Sequence, residues 1–180
     1  DVADNSGSAE IDFPSAYDLS STSSSISGQT YSAYNSNNVD MNFDGLANSS
    51  WYVGFSSSSK ENTTYDTTET TNGFWMQVDL GQKVALKKYQ IHNTGNASYH
   101  ARNAGTWKVL YSDDGNTWSL ASEVTGHSDW SVGSSLTSGA TMHEVELTEH
   151  KIGRYWRLSI EDVNGDNVFH QREWMLFGIT

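Results

Sequence analysis

Planar polar side chains are concentrated in one short stretch of the chain, residues 92–105. Imidazole, guanidinium and amide groups hold their donors and acceptors in fixed directions, which suits them to fixing the hydroxyl groups of a sugar. Taken singly, each of these side chains is more simply explained as a solvated loop residue. Taken together they predict a ligand-binding loop, and its candidate residues are His92, Tyr99, His100, Arg102 and Asn103.

A second group of candidates follows later in the chain. The segment 162–172 contains Phe169 and His170, and Trp130 lies in a short polar segment that predicts an exposed indole. Aromatic faces stack on the C–H groups of sugars, so Phe169 and Trp130 are candidate stacking residues. The other interpretation of Phe169 is a core position. We predict that these residues and the 92–105 loop form one shallow site for a neutral or uronic sugar.

The elements that must position these loops are β-strands. Short segments with alternating or aromatic-rich patterns recur between turns of Gly, Asn and Ser, and no helix longer than one or two turns is indicated. An Asp-Gly turn at 113–116 predicts a hairpin. The pattern is typical of an all-β, antiparallel sandwich or jelly roll. The predicted strands are 74–81, 85–92, 106–112, 142–148, 154–160 and 173–179.

The length and composition indicate one domain and exclude several partners. We expect an acidic, Ser-rich leader or linker with an edge strand over residues 1–30, and a compact domain over residues 31–180. The net charge of −12 argues against nucleic acid and anionic membranes, which need a basic footprint. The chain has no cysteine, which excludes disulfides and thiolate chemistry. No apolar run reaches membrane-spanning length.

The sequence also argues against catalysis. No nucleophile elbow, His-Glu-x-x-His helix or phosphate-binding loop is present. The paired carboxylates Glu144 and Glu146, and likewise Asp113 and Asp114, fall on a solvent face or in a turn, so solvation explains them better than hydrolysis. Strand tryptophans are more often core than site residues, and we assign four of them to the core. These are Trp51, Trp75, Trp107 and Trp156.

Five segments resemble, in order, the discoidin or coagulation-factor C-type domain family, which is galactose-binding-like in fold. They include an Asp-Gly loop that leads to a Trp, an Asp-Leu-Gly turn and a Tyr-Ser-Asp-Asp-Gly hairpin. The resemblance implies an eight-stranded jelly-roll sandwich with ligand loops at one end. Many members of this family are carbohydrate-binding modules of bacterial enzymes, and others bind cell-surface glycans or lipid head groups. The segments are 42–51, 74–91, 106–118, 153–160 and 173–179.

The same resemblance implies a structural calcium ion. In similar domains the Asp-Gly loop supplies a carboxylate, a hydroxyl and backbone carbonyls, and a Glu on the last strand completes the set. Ser49 stands where the family usually has Thr, and it keeps the hydroxyl. The alternative is a tight polar turn in which Asp44 caps backbone amides. The implied ligands are Met41 and Leu46 through carbonyls, and Asp44, Ser49 and Glu173 through side chains.

For the sugar site, the resemblance places Asn103 at the family's binding Asn and Phe169 at its stacking aromatic. The family's binding Arg corresponds to His92 or Asn93 here, so Arg102 takes that role in our interpretation and a plain galactose specificity is in doubt. We therefore expect a secreted, non-catalytic carbohydrate-binding module that anchors an extracellular enzyme or adhesin to a polysaccharide or glycan. It would be a monomeric module of a larger multidomain protein. The alternatives are an adhesin domain for cell-surface protein or glycoprotein, and a β-sandwich polysaccharide-degrading enzyme.

Overall fold

The computed structural model describes residues 29–33, 43, 53–56, 74–93, 97–130, 142–166 and 168–179. These residues form eight β-strands and one 3₁₀ helix, Ala97–Arg102. The strands are β1 Thr30–Ala33, β2 Val53–Ser56, β3 Phe74–His92, β4 Ala104–Ser112, β5 Ser119–Val124, β6 Met142–Val163, β7 Val168–Gln171 and β8 Glu173–Ile179.

Two of these strands are long and bent, and each combines two segments that the sequence predicts as separate strands. In β3 the ladder to β6 is interrupted between Asp79 and Val84. The Asp79 carboxylate accepts a hydrogen bond from the Gly81 amide, and Gly81 has a positive φ of 75°, so the interruption has the local chemistry of a turn. The chain nevertheless resumes pairing with the same partner strand, which makes this point a corner between two arms of one strand.

The bend folds the sheet into two layers. The first arm of β3 pairs with residues 155–160 of β6, and that part of β6 continues to β4 and β5. The second arm of β3 pairs with residues 142–153 of β6 and with β8. The layers meet across the core, where the Trp107 indole N–H donates to the Tyr89 hydroxyl at 3.0 Å. The predicted antiparallel β-sandwich is confirmed.

The predicted core tryptophans occupy different places. Trp107 and Trp156 are fully buried in the main cluster, as expected. Trp75 is half-buried, and its ring centre lies 4.3 Å from the Arg157 guanidinium, while the Trp118 ring centre lies 4.1 Å from the same guanidinium. Both rings attract the cation through their π-electrons. Trp51 lies outside the described residues.

The corner divides the molecule into two ends. Both arms of β3 and of β6 lead away from the corner, so the segments that follow His92 and Val163 meet at the opposite end, which we call the loop end. Backbone hydrogen bonds confirm the meeting, since the Asn164 amide donates to the Asn103 carbonyl at 3.1 Å. The 113–118 turn lies at the other, corner end, where Lys83 pairs with Asp113.

The proposed leader falls almost entirely outside the described residues. The edge strand expected within residues 1–30 stays a prediction; β1, Thr30–Ala33, begins where that segment ends and pairs antiparallel with residues 76–79 of β3. The domain boundary near residue 31 stays a prediction. Within the ranges that the structure describes, no helix is long and apolar enough to span a membrane.

Candidate functional site

Four side chains form a connected polar cluster at the loop end. Arg102 donates from Nε to the Asp166 carboxylate at 2.7 Å, and its guanidinium lies 4.9 Å from the Tyr99 ring centre. His170 approaches the same guanidinium at 3.5 Å and contacts Tyr99 edge-on, with 5.2 Å between ring centres. Arg102 and Asp166 keep 29% and 26% of their side-chain surface exposed, so the cluster is open to a ligand while its geometry is fixed. We call these four residues the arginine cluster.

Local backbone structure sets the directions of these side chains. The 3₁₀ helix places Tyr99 and Arg102 three residues apart, and such residues project from one face of a 3₁₀ helix. The Asp166 amide donates to the Ala101 carbonyl at 3.1 Å and thereby ties the β6–β7 turn to this helix. Gly165 has a φ of 116°, a conformation that side chains with a Cβ rarely adopt. The turn can therefore present Asp166 to Arg102.

Buried polar atoms lie directly beside the cluster. Asn103 is 1% exposed, and neither its side-chain oxygen nor its nitrogen has a hydrogen-bond partner among the described residues. The buried Nδ1 of His100 has none there either. Buried polar atoms are nearly always hydrogen-bonded, so unsatisfied ones need a specific explanation. We expect ordered water or a ligand group to complete the hydrogen bonds of this pair.

The structure separates His92 from the other loop candidates. Its side chain hydrogen-bonds to Gln90 at 3.2 Å, and none of the hydrogen bonds that define the arginine cluster involves His92. Period-two alternation explains the difference, since Tyr89 and Ile91 point into the core and Gln90 and His92 therefore point away from it. His92 contributes to the loop end through its backbone carbonyl, which accepts from the Arg172 amide.

The two aromatic candidates for stacking are buried, contrary to the exposed positions predicted for them. Phe169 is 0% exposed and belongs to the main core cluster. Trp130 is 4% exposed, packs against Trp107, and donates from its indole N–H to the Ala104 carbonyl at 2.7 Å. Neither ring offers a face to solvent. Tyr99, half-buried in the arginine cluster, is an aromatic side chain that belongs to the candidate site itself.

The partner of Arg102 is Asp166, which the sequence pattern did not single out. Asp166 lies in the segment 162–172, which was expected to meet the 92–105 loop in one site, but Asp166 itself was not among the candidate binding residues. The two residues are 64 positions apart, and only the return of β6 to the loop end brings them together. The sequence did contain a signal for this contact. An Arg in one loop and an Asp in another loop at the same end of a sandwich can form a charge-assisted hydrogen bond.

Most of the expected calcium ligands cannot be placed. Met41, Asp44, Leu46 and Ser49 lie outside the described residues. Glu173 is described, and its carboxylate is completely buried at the start of β8, opposite His92 in the ladder. Among the residues that the structure covers, no group of three or more His, Asp or Glu side chains could hold a metal ion. The calcium site therefore stays a prediction, of which Glu173 is the described member.

Burial of imidazole predicts a pH-dependent stability. Desolvation, followed by the positive charge of Arg102, lowers the pKa of His170 from 6.5 to about 4. Because the folded pKa lies below the unfolded value, the contribution to stability is complete above about pH 6.5 and is lost as the pH falls towards 4. We therefore expect protonation of His170 to lower the free energy of unfolding by about 2–3 kcal/mol as the pH falls from about 6.5 to 4.

The measurement is urea denaturation at several pH values between 7.5 and 4.5. The His170→Gln variant should show a weaker pH dependence than the original protein, because it removes the titrating group. His150, which is exposed, provides the matched control as His150→Gln. If His170→Gln keeps the full pH dependence, the assignment of the loss to this imidazole is wrong.

Comparison with known proteins gives the family. The F5/8 type C domain family matches residues 19–174, which is most of the chain. A search of curated protein sequences found no significant match.

Solved structures of similar fold come from bacterial carbohydrate-binding modules. The module CpGH89CBM32-5 from Clostridium perfringens, solved with GalNAc-β-1,3-galactose, is 13% identical, with a TM-score of 0.59 over 83% of this chain and 94% of that one. The family 32 module of NanJ from C. perfringens, solved with galactose, is 12% identical, with a TM-score of 0.57 over 82% and 92%.

A third similar structure comes from another organism. The family 32 carbohydrate-binding module of Streptococcus pneumoniae EndoD is 14% identical, with a TM-score of 0.56 over 84% of this chain and 97% of that one. At these identities the structures establish a shared fold. With the family match over residues 19–174, they show that this chain belongs to the F5/8 type C, or discoidin, domain family.

Proposed function

We propose that this chain is a non-catalytic carbohydrate-binding module that recognises its glycan at the loop end. The observation that carries the proposal is the arginine cluster. It combines a planar cation, a carboxylate, an imidazole and an aromatic ring at one partly exposed place. Sugars are bound in proteins by this combination of directional hydrogen bonds and a ring that faces C–H groups.

The charges of the described carboxyl groups favour binding over catalysis. A general acid for glycoside cleavage needs a raised pKa, and hydrolysis needs two suitably spaced carboxyl groups. At the loop end the Asp166 carboxylate is engaged by Arg102 at 2.7 Å. The resolved carboxyl pKa shifts are downward and arise from hydrogen bonds and ion pairs; they belong to Asp79, Asp114, Glu144 and Glu149.

The chemistry of the arginine cluster suits a neutral or uronic sugar. A guanidinium can bind two sugar hydroxyls or one carboxylate in bidentate fashion. The solved relatives named above bind galactose and GalNAc-β-1,3-galactose, which makes galactosides the first sugars to test. The accessible surface is small, so we expect a Kd in the range of roughly micromolar to millimolar.

A module of this kind acts by keeping a larger protein near its substrate. We propose that the chain is a monomeric part of a secreted protein, an enzyme or an adhesin, and that it anchors this protein to a polysaccharide or glycan. Tethering raises the local concentration of the attached protein, so weak single-site affinity is sufficient. The net charge of −12 supports glycan rather than nucleic acid or anionic lipid as the partner.

A glycan array tests the proposal directly. The labelled full chain should bind a restricted set of glycans, and free sugar of the same type should compete. The matched control is the Arg102→Ala chain on the same array, which should lose the signal. An absence of binding to every glycan class, with the protein folded, would refute the proposed function.

Calcium is part of the proposal as a stabilising ion. Asp44, Ser49, Glu173 and the carbonyls of Met41 and Leu46 would hold it, and its chemistry there would be structural. The complete burial of the Glu173 carboxylate supports this, because a buried charge is stable only when a cation or several donors compensate it. An ion present at about 100 times its Kd stabilises the folded state by about 2.7 kcal/mol.

We therefore expect chelation to lower the melting temperature by about 5–10 °C, and added calcium to restore it. Asp44→Asn should melt at the lower temperature with or without chelator. The control Asp129→Asn, which removes the same charge from an exposed position, should keep its response to chelator. A melting curve that chelator leaves unchanged, together with no bound metal by elemental analysis, would contradict the calcium site.

A further inference from the structure

A cavity lies at the corner end, remote from the arginine cluster. It has a volume of about 260 Å³ and lies between the end of β4, the 113–118 turn and the bent part of β6. Ligand pockets for drug-sized molecules measure roughly 300–1,000 Å³, so this volume suits one small ring. Gly153 allows the strands to approach closely here, because a Cβ at that position would lie 3.1 Å from the Tyr111 Cβ.

The lining of this cavity presents an apolar wall and unused hydroxyl groups. Tyr111 packs its ring against Trp156 with 5.7 Å between ring centres, which fixes the phenol in place. Neither the Tyr111 hydroxyl nor the Ser119 hydroxyl makes a hydrogen bond within the described part of the chain. Ile152 is 58% exposed and forms an apolar side of the opening. A ring with polar edges and an apolar face fits such a surface.

The cavity also carries a negative charge without a basic partner. Asp113 is paired with Lys83 at 2.5 Å, whereas none of the described salt bridges involves Asp114. Asp114 accepts hydrogen bonds on Oδ1 from the Thr117 and Asn116 amides, both at 2.8 Å. These backbone bonds lower the pKa of Asp114 to about 2, so its carboxylate is ionised throughout the neutral range. A cationic group on a ligand would find its counter-charge here.

We infer that this cavity binds a sugar residue that carries a protonated amine, such as a glucosamine unit of a deacetylated polysaccharide. The ammonium would pair with Asp114, the sugar hydroxyls would bond to Tyr111 and Ser119, and the C–H face would lie on Ile152. The inference goes beyond the proposed function, because it assigns a separate site at the opposite end of the sandwich. A module with both sites would connect two glycan chains.

Nuclear magnetic resonance of the full chain, titrated with glucosamine at about pH 6, tests the inference, since the amine is protonated there. Backbone signals of residues 111–119 and 152 should shift and saturate. N-acetylglucosamine, which has the same ring without the charge, should bind about tenfold more weakly, because a charge-assisted hydrogen bond is lost. Asp114→Asn keeps the oxygen that accepts the turn hydrogen bonds and should weaken glucosamine binding by a similar factor.

Two controls separate this site from the loop end and from a folding defect. Arg102→Ala should leave glucosamine binding at the corner end unchanged. Ile152→Lys adds a positive charge at an exposed position and should also weaken binding, even if Asp114→Asn proves unstable. Shifts confined to residues 97–103 and 164–170, equal affinity for N-acetylglucosamine, or equal affinity for free lysine would each overturn the inference. None of these outcomes would refute glycan binding by the arginine cluster.

Discussion

Replacement of Phe169 by alanine should lower the free energy of unfolding by about 3–5 kcal/mol. The side chain is 0% exposed and packs in the main core cluster, so its removal deletes buried apolar contacts and leaves a cavity. Phe169 lies on β7, which borders the loop end, and any loss of sugar binding by the variant would follow from unfolding or local disorder. Chemical denaturation followed by intrinsic fluorescence measures the effect.

The matched control is Leu120→Ala. Leu120 is 46% exposed on β5, and a surface substitution of this kind changes stability by less than about 0.5 kcal/mol. If Phe169→Ala is as stable as Leu120→Ala and has lost sugar binding, then Phe169 is a stacking residue at the surface and the structural account of the loop end is wrong. The two variants therefore decide between the core and the site interpretation of this ring.

The sequence could not decide whether Phe169 is a core residue or a site residue, because apolar and polar residues do not alternate regularly along β7 and β8. From Phe169 to Trp174 every residue is buried, whether it is polar or apolar. Period-two reasoning assigns a face only when one side of a strand meets water. Around Trp107 in β4 the alternation is readable, and the predicted core position of this residue is confirmed.

The sequence pattern also did not predict the bends of β3 and β6, because it indicated two separate strands in each case. Asp79 and Gly81 carry the composition of a turn, and the structure uses them for a corner after which the strand keeps its partner. Turn chemistry is local, whereas the continuation of a ladder depends on the neighbouring strand. Sandwich class and strand positions were therefore predictable, and the two-arm construction was not.

At the candidate site, the sequence predicted that residues from the 92–105 and 162–172 segments lie together, and it did not predict how their side chains are arranged. Arg102, Tyr99 and His170, which come from these two segments, contact one another. Trp130 looked exposed because its sequence neighbours are polar. Its indole N–H instead donates a hydrogen bond to the Ala104 carbonyl. This contact joins residues that are distant in sequence, so a local sequence pattern does not predict it.

Arg102→Ala should reduce glycan affinity at least about tenfold, because charged hydrogen bonds to a ligand contribute about 1.5–3 kcal/mol. Its stability should change by no more than about 1 kcal/mol, since the ion pair with Asp166 is partly exposed. Isothermal titration with the best glycan from the array measures the first effect, and thermal melting measures the second.

Arg154→Ala is the matched control for this variant. Arg154 also forms an ion pair with an aspartate, through two hydrogen bonds of 2.7 and 2.8 Å to Asp79, but it lies at the corner end. It should bind glycan like the original protein. Equal loss in both variants would mean that the affinity depends on overall charge rather than on the arginine cluster.

The most direct test of glycan binding at the loop end is a residue-resolved magnetic resonance titration with galactose and, in parallel, galacturonic acid. We expect saturable shifts for residues 97–103 and 164–170 with at least one of the two sugars, and we expect these shifts to be lost in Arg102→Ala. Stronger binding of galacturonic acid that depends on Arg102 would identify the carboxylate as the group recognised. If both segments keep their signals unchanged while residues of another surface shift, glycan binding at the loop end is wrong.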